Sequence, residues 1–90
     1  MGIVAVIVKI MPESPDTNLK HIEDKAKIAL EKEGAMNISF EEKPIAFGLK
    51  AIMAKFAWQE HKATDLIEEI LGKVEEVSAV DIVDYRRAFG

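Results

Sequence analysis

Residues 3–11, IVAVIVKIM, carry a single charge, Lys9, in a run of β-branched and other apolar side chains. No other part of the chain restricts the fold so strongly. As a strand, it puts Val4, Val6, Val8 and Ile10 on one side and Ile3, Ala5 and Ile7 on the other. Apolar residues on both faces belong to a strand in the middle of a sheet. The run is too short to span a bilayer, has no basic residue before it and lacks a small-residue cleavage site. Met1-Gly2 without Ser or Thr at position 6 gives no support for myristoylation. The expectation is a mature, soluble chain.

The next segment, PESPD, breaks the strand, because Pro12 and Pro15 lack backbone donors, and Asp16 or Thr17 is placed to cap a helix. From Leu19 to Glu33, the residues Leu19, Ile22, Ala26, Ala29 and Leu30 recur at helical spacing, and Gly34 stands where a left-handed cap ends a helix. Met36, Ile38 and Phe40 alternate through MNISFEEK, a half-exposed strand whose charged end and Pro44 suit a sheet edge. After a turn, Ile52, Ala54, Phe56 and Trp58 alternate on one face, with Leu49, Ala51, Met53, Lys55 and Ala57 opposite. Thr64 is positioned to cap a second helix, with Asp65 and Glu68 at its positive end and Ile67, Ile70, Leu71 and Val74 as its core stripe. A last strand over about Val77 to Tyr85 leads into a basic tail, RRAFG.

The resulting order, strand–helix–strand–strand–helix–strand, is that of the ferredoxin-like split βαβ plan, an α+β fold. Right-handed crossovers place both helices on one face of a four-stranded antiparallel sheet and leave the other face open. The 90 residues make one domain, residues 1–90, and the 49% apolar and 31% charged content suits a well-packed globular chain.

The fold alone does not assign a function. With no cysteine, the chain has no disulfide, thiolate metal site or thiol nucleophile, which is compatible with the cytoplasm. A net charge of −4 argues against generic nucleic-acid binding, whose affinity comes largely from phosphate neutralisation. RNA-recognition domains of this fold display aromatics on the central strands, where this chain has Ile3, Ala5, Ile7, Ala51 and Met53. His21 and His61 lack a Ser or Asp partner in any nucleophile pattern and read as surface residues. Neither GxxxxGK[ST] nor GxGxxG occurs, and no acidic or histidine cluster has metal-ligand spacing. Asp65, Glu68, Glu69, Glu75 and Glu76 read as a solvated helix face, and Trp58 as core.

Two features remain outside this account: the turn in KPIAFGLKAI, residues 43–52, and YRRAFG, residues 85–90. Phe47 has two readings, one folding back to plug an end of the core and one presenting the ring to a partner. Arg86 and Arg87 are either solubilising tail residues or part of a site.

The segments KPIAFGLKAI at 43–52, TDLIEEI at 64–70, VEEVSAVDIVDY at 74–85 and VIVKIMPESPD at 6–16 together resemble the elongation factor 1-beta family in its short archaeal form. That form is similar to the C-terminal exchange domain of the eukaryotic protein. The resemblance implies guanine-nucleotide exchange on the translational GTPase elongation factor 1-alpha, without covalent chemistry, cofactor or bound metal of the chain's own. It also implies that Phe47, presented by Pro44 and Gly48, contacts a second domain of the GTPase. Arg87, with Arg86 and Tyr85 beside it, takes the place of the family's C-terminal basic residue, which reaches the partner's magnesium and phosphate site. The eukaryotic pattern has a lysine there followed by a terminal aliphatic, whereas this chain has arginine and then Ala-Phe-Gly. The implied setting is a cytoplasmic chain, monomeric when free, meeting the GTPase in its GDP-bound and nucleotide-free states, with no direct contact to nucleic acid or membrane. The alternatives from fold alone are a regulatory, small-ligand-binding or dimerising domain and, more weakly, an RNA-binding domain.

Overall fold

Backbone pairing bears out the central-strand reading of residues 3–11. A computed structural model of the protein describes residues 2–89. The elements run β1 (Ile3–Pro12), α1 (Leu19–Lys32), β2 (Met36–Pro44), β3 (Lys50–Gln59), α2 (Asp65–Gly72) and β4 (Val77–Phe89). The sheet order is β2-β3-β1-β4, and every neighbouring pair is antiparallel. The α1 crossover leaves a one-strand gap between β1 and β2, and β3 fills it, which is the split βαβ arrangement of a ferredoxin-like α+β fold.

Val4, Val6, Val8 and Ile10 of β1 are fully buried, as are Ile52, Ala54 and Trp58 of β3. They form one core with Ile22, Ala26 and Leu30 of α1 and Ile67 and Leu71 of α2, so both helices cover the same sheet face. At the heart of that core, Phe56 and Trp58 meet edge to face, with ring centroids 6.0 Å apart. Trp58 Nε1–H donates to the Lys62 carbonyl at 3.2 Å, and Lys62 Nζ lies 5.4 Å from the indole centroid. Lys62 also reaches back to the Glu33 carbonyl, tying the β3–α2 loop to the end of α1.

Three local expectations are corrected. The N-cap of α1 is Asn18, whose Oδ1 accepts the His21 N–H at 3.2 Å, rather than Asp16 or Thr17. The Thr17 hydroxyl is instead turned to Ser14, accepting its N–H at 3.3 Å within the loop. Thr64 precedes α2 but makes no capping bond with its side chain; its carbonyl accepts the Ile67 N–H at 3.0 Å, a tight first turn. The basic tail is strand: β4 continues through Arg86 and Arg87, opposite Ala5 and Val4. Without that extension, the first residues of β1 would have backbone groups unpaired on one side. Three register shifts let the 13 residues of β4 follow the 10 of β1.

Gly34 behaves as expected. At φ +89° it closes α1, with its N–H on the Glu31 carbonyl and the Ala35 N–H on the Leu30 carbonyl, a Schellman motif. No helix among the described residues is long and apolar enough to cross a membrane.

Candidate functional site: the two ends of the sheet

At one end of the sheet, the β2–β3 connection is drawn into a tight turn. The Ile45 N–H donates to the Leu49 carbonyl at 2.8 Å, and the Leu49 N–H donates to the Ala46 carbonyl at 3.3 Å. Between them, Phe47 (φ 64°, ψ 30°) and Gly48 (φ 74°) both have left-handed backbones. Two successive left-handed residues match the twist of the flanking strands, as in a type I′ hairpin turn. Glycine suits the second position because of its φ and not for lack of space, since a Cβ there would meet nothing within 4 Å. Phe47 enjoys no such freedom, and a side chain in this region costs roughly 1–2 kcal/mol.

That cost is not recovered by packing. Phe47 is 93% exposed, which overturns the reading in which it plugs the core. Phe47 thus joins a solvent-exposed ring to a left-handed backbone, and core packing does not account for its place in the turn. Pro44, opposite Lys50, is the last residue of β2 and is exposed at the sheet edge. Beside the turn, the β1–α1 loop opens a cleft of about 400 Å³ whose walls include Ser14, Thr17, Asn18, Glu42 and Lys50. Only the fold brings PESPD next to the hairpin.

The basic residues lie at the other end, ten strand residues away along β3, roughly 30 Å. Arg86 pairs with Ala5 and Arg87 with Val4, so the two side chains leave opposite faces of the sheet. Arg86, on the open face, meets Asp84 at 3.1 Å. Arg87, on the helix side, donates its Nε–H to Glu60 Oε2 at 2.6 Å, and its Nη2 touches the same oxygen. Tyr85 is opposite Val6, hence on the same side as Arg87, and is 45% exposed beside Lys62, Thr64 and Ile82. The structure therefore groups Tyr85 with Arg87 and separates both from Arg86. Glu60 was invisible in the sequence, because 27 residues separate it from Arg87 and no local motif marks it.

Acid–base chemistry finds little support elsewhere. His21 and His61 are both exposed. The Glu23 carboxyl on α1 is held above the usual carboxylate range, by burial first and then by Glu42, which lines the cleft beside the hairpin. On the open face, Ile3, Ala5, Ile7 and Met53 are half-buried and Ala51 is buried, in place of the exposed aromatics an RNA platform needs.

The described residues thus form a ferredoxin-like domain with an exposed hairpin aromatic at one end of the sheet and basic residues at the other. The EF-1 guanine nucleotide exchange domain family matches residues 5–88. An elongation factor 1-beta of Methanosarcina barkeri is 41% identical over 88 residues, covering 97% of this chain and 99% of the relative. One from Methanobrevibacter smithii is 39% identical over 88 residues, covering 97% and 98%. One from Sulfolobus acidocaldarius is 37% identical over 86 residues, covering 93% and 94%. The chain belongs to the EF-1 guanine nucleotide exchange domain family, and its activity is guanine-nucleotide exchange in the elongation factor 1 system. The regulatory, small-ligand or dimerising alternative is not favoured.

Proposed function

We propose that this chain, a single exchange domain over residues 1–90, accelerates GDP release from elongation factor 1-alpha by gripping it with both ends of the sheet. Phe47 anchors the hairpin end in a pocket of the partner, with Pro44 and Gly48 setting its presentation. Arg87 and Tyr85 face the nucleotide side, with Arg86 on the opposite face of the sheet. A guanidinium brought to the magnesium and phosphate oxygens of the GTPase competes with the metal for its oxygen neighbourhood and loosens the nucleotide. No covalent bond is made or broken, so the chain is not an enzyme in the chemical sense. It acts in the cytoplasm as a monomer that meets the GTPase with GDP bound and retains it nucleotide-free.

The observation that carries this reading is the exposure of Phe47 in a left-handed backbone. An exchange factor must prefer the nucleotide-free state, and coupling between the two ligands is reciprocal. If the factor weakens GDP binding by some factor, GDP weakens factor binding equally. Calorimetric titration of elongation factor 1-alpha with this protein at increasing GDP should therefore show the affinity falling as GDP rises. An affinity independent of GDP would exclude exchange by this route.

A further inference from the structure

We propose that Glu60 is a positioning residue for Arg87, holding the guanidinium so that its outer edge faces the partner. The inference deepens the reading of the two-ended site and rests on it. Arg87 sits near the end of β4, on a long side chain that is 65% exposed and would otherwise sample many rotamers. Glu60 is fixed by the backbone, since its N–H donates to the Gly2 carbonyl at 3.0 Å, and it directly follows β3. The Lys62 N–H closes the same loop on the Gln59 carbonyl at 3.0 Å. One carboxylate oxygen of Glu60 takes both Nε and Nη2 of Arg87. Those atoms form one edge of the guanidinium fork. Nη1 and the second N–H of Nη2 form the other edge and remain available to an oxyanion.

Two features of the geometry separate this from an incidental surface pair. Exposed ion pairs contribute little to stability, so the fold does not need this one. The contact also selects between neighbours, because Arg86 is engaged by Asp84 on the opposite face and Glu60 holds only Arg87. Restricting the rotamers of a reaching side chain before the partner arrives raises the fraction of encounters in which it is correctly placed.

The test is GDP release from elongation factor 1-alpha across a range of concentrations of wild type, Glu60→Ala, Glu60→Gln, Arg87→Ala and the Glu60→Ala/Arg87→Ala double variant. Glu60→Ala should lower the maximal rate about three- to tenfold, with little change in the half-saturating concentration. Glu60→Gln, whose amide oxygen still accepts from the guanidinium, should recover most of that loss. The double variant should be no slower than Arg87→Ala alone. A wild type that does not accelerate release overturns the exchange reading together with this inference. Acceleration by wild type that Glu60→Ala leaves unchanged overturns this inference alone. So does a Glu60→Ala loss that persists in the Arg87→Ala background, or one that Glu60→Gln fails to recover.

Discussion

Phe47→Ala is expected to weaken binding to elongation factor 1-alpha by about 2 kcal/mol or more, roughly thirtyfold, as truncation of an aromatic interface anchor does. The free protein should barely register the change, because the 93% exposed ring contributes nothing to the core. Titration calorimetry on the two variants Phe47→Ala and Phe47→Gly separates binding from turn strain. Both should lose affinity, but they should melt differently. Glycine adopts the left-handed backbone at position 47 without the penalty of about 1–2 kcal/mol that a Cβ incurs there. It adds unfolded-state freedom of about 0.4–1 kcal/mol, the smaller effect. Phe47→Gly should therefore melt a few degrees above Phe47→Ala. Undiminished affinity in both variants would remove Phe47 from the interface.

Trp58→Ala is expected to act on the fold itself. The side chain is fully buried, packs edge to face on Phe56 and donates to the Lys62 carbonyl. Removing it opens a cavity and strips a donor from the loop that links β3 to α2. Large-to-small changes at such sites cost about 3–5 kcal/mol, a large share of the 5–15 kcal/mol typical of a whole domain. The melting temperature should fall by more than about 10 °C, read by circular dichroism. Any loss of exchange should accompany this loss of stability, since the buried side chain touches no partner itself but braces the loop that carries Glu60, and its strand position is opposite Val4, which also pairs with Arg87. Loss of exchange in a protein that still melts cooperatively at the original temperature would contradict that assignment.

The contrast between Trp58 and Phe47 also marks what the sequence could reveal. Trp58, Phe56, Ala54 and Ile52 alternate with the period of a strand, and all four are buried, with Ala51 the one residue of the opposite face of β3 buried as well. Gly34 announces a helix end because few other residues adopt its φ of +89°. These are local signals, and the four-strand, two-helix order follows from them. Phe47 carries no such period, and its outward direction depends on where the two left-handed residues of the turn fall. The end of β4 was hidden for a related reason. Residues 85–89, YRRAF, have a charged, aperiodic pattern, and only the need of β1 for a partner along its first residues makes them strand, while Gly90 lies outside the described residues.

The candidate site divides along the same line. Pro44, Phe47 and Gly48 stand together in one short segment, so the sequence alone presents them as a unit. Arg86 and Arg87, adjacent in sequence, were grouped as one basic feature, yet strand alternation sends them to opposite faces. The partner that distinguishes Arg87 comes from the far side of α2. A contact across that separation is set by the register of β4 on β1 and by the turn after β3, neither of which any single stretch of residues discloses.

An exchange factor turns over, and the rate of GDP release from preloaded elongation factor 1-alpha in excess GTP tests this directly. With the GTPase in at least tenfold excess over this protein, release should still run to completion at an accelerated rate, each molecule serving many partners. A rate equal to the spontaneous one, or acceleration that stops after one GDP per molecule of this protein, would contradict it.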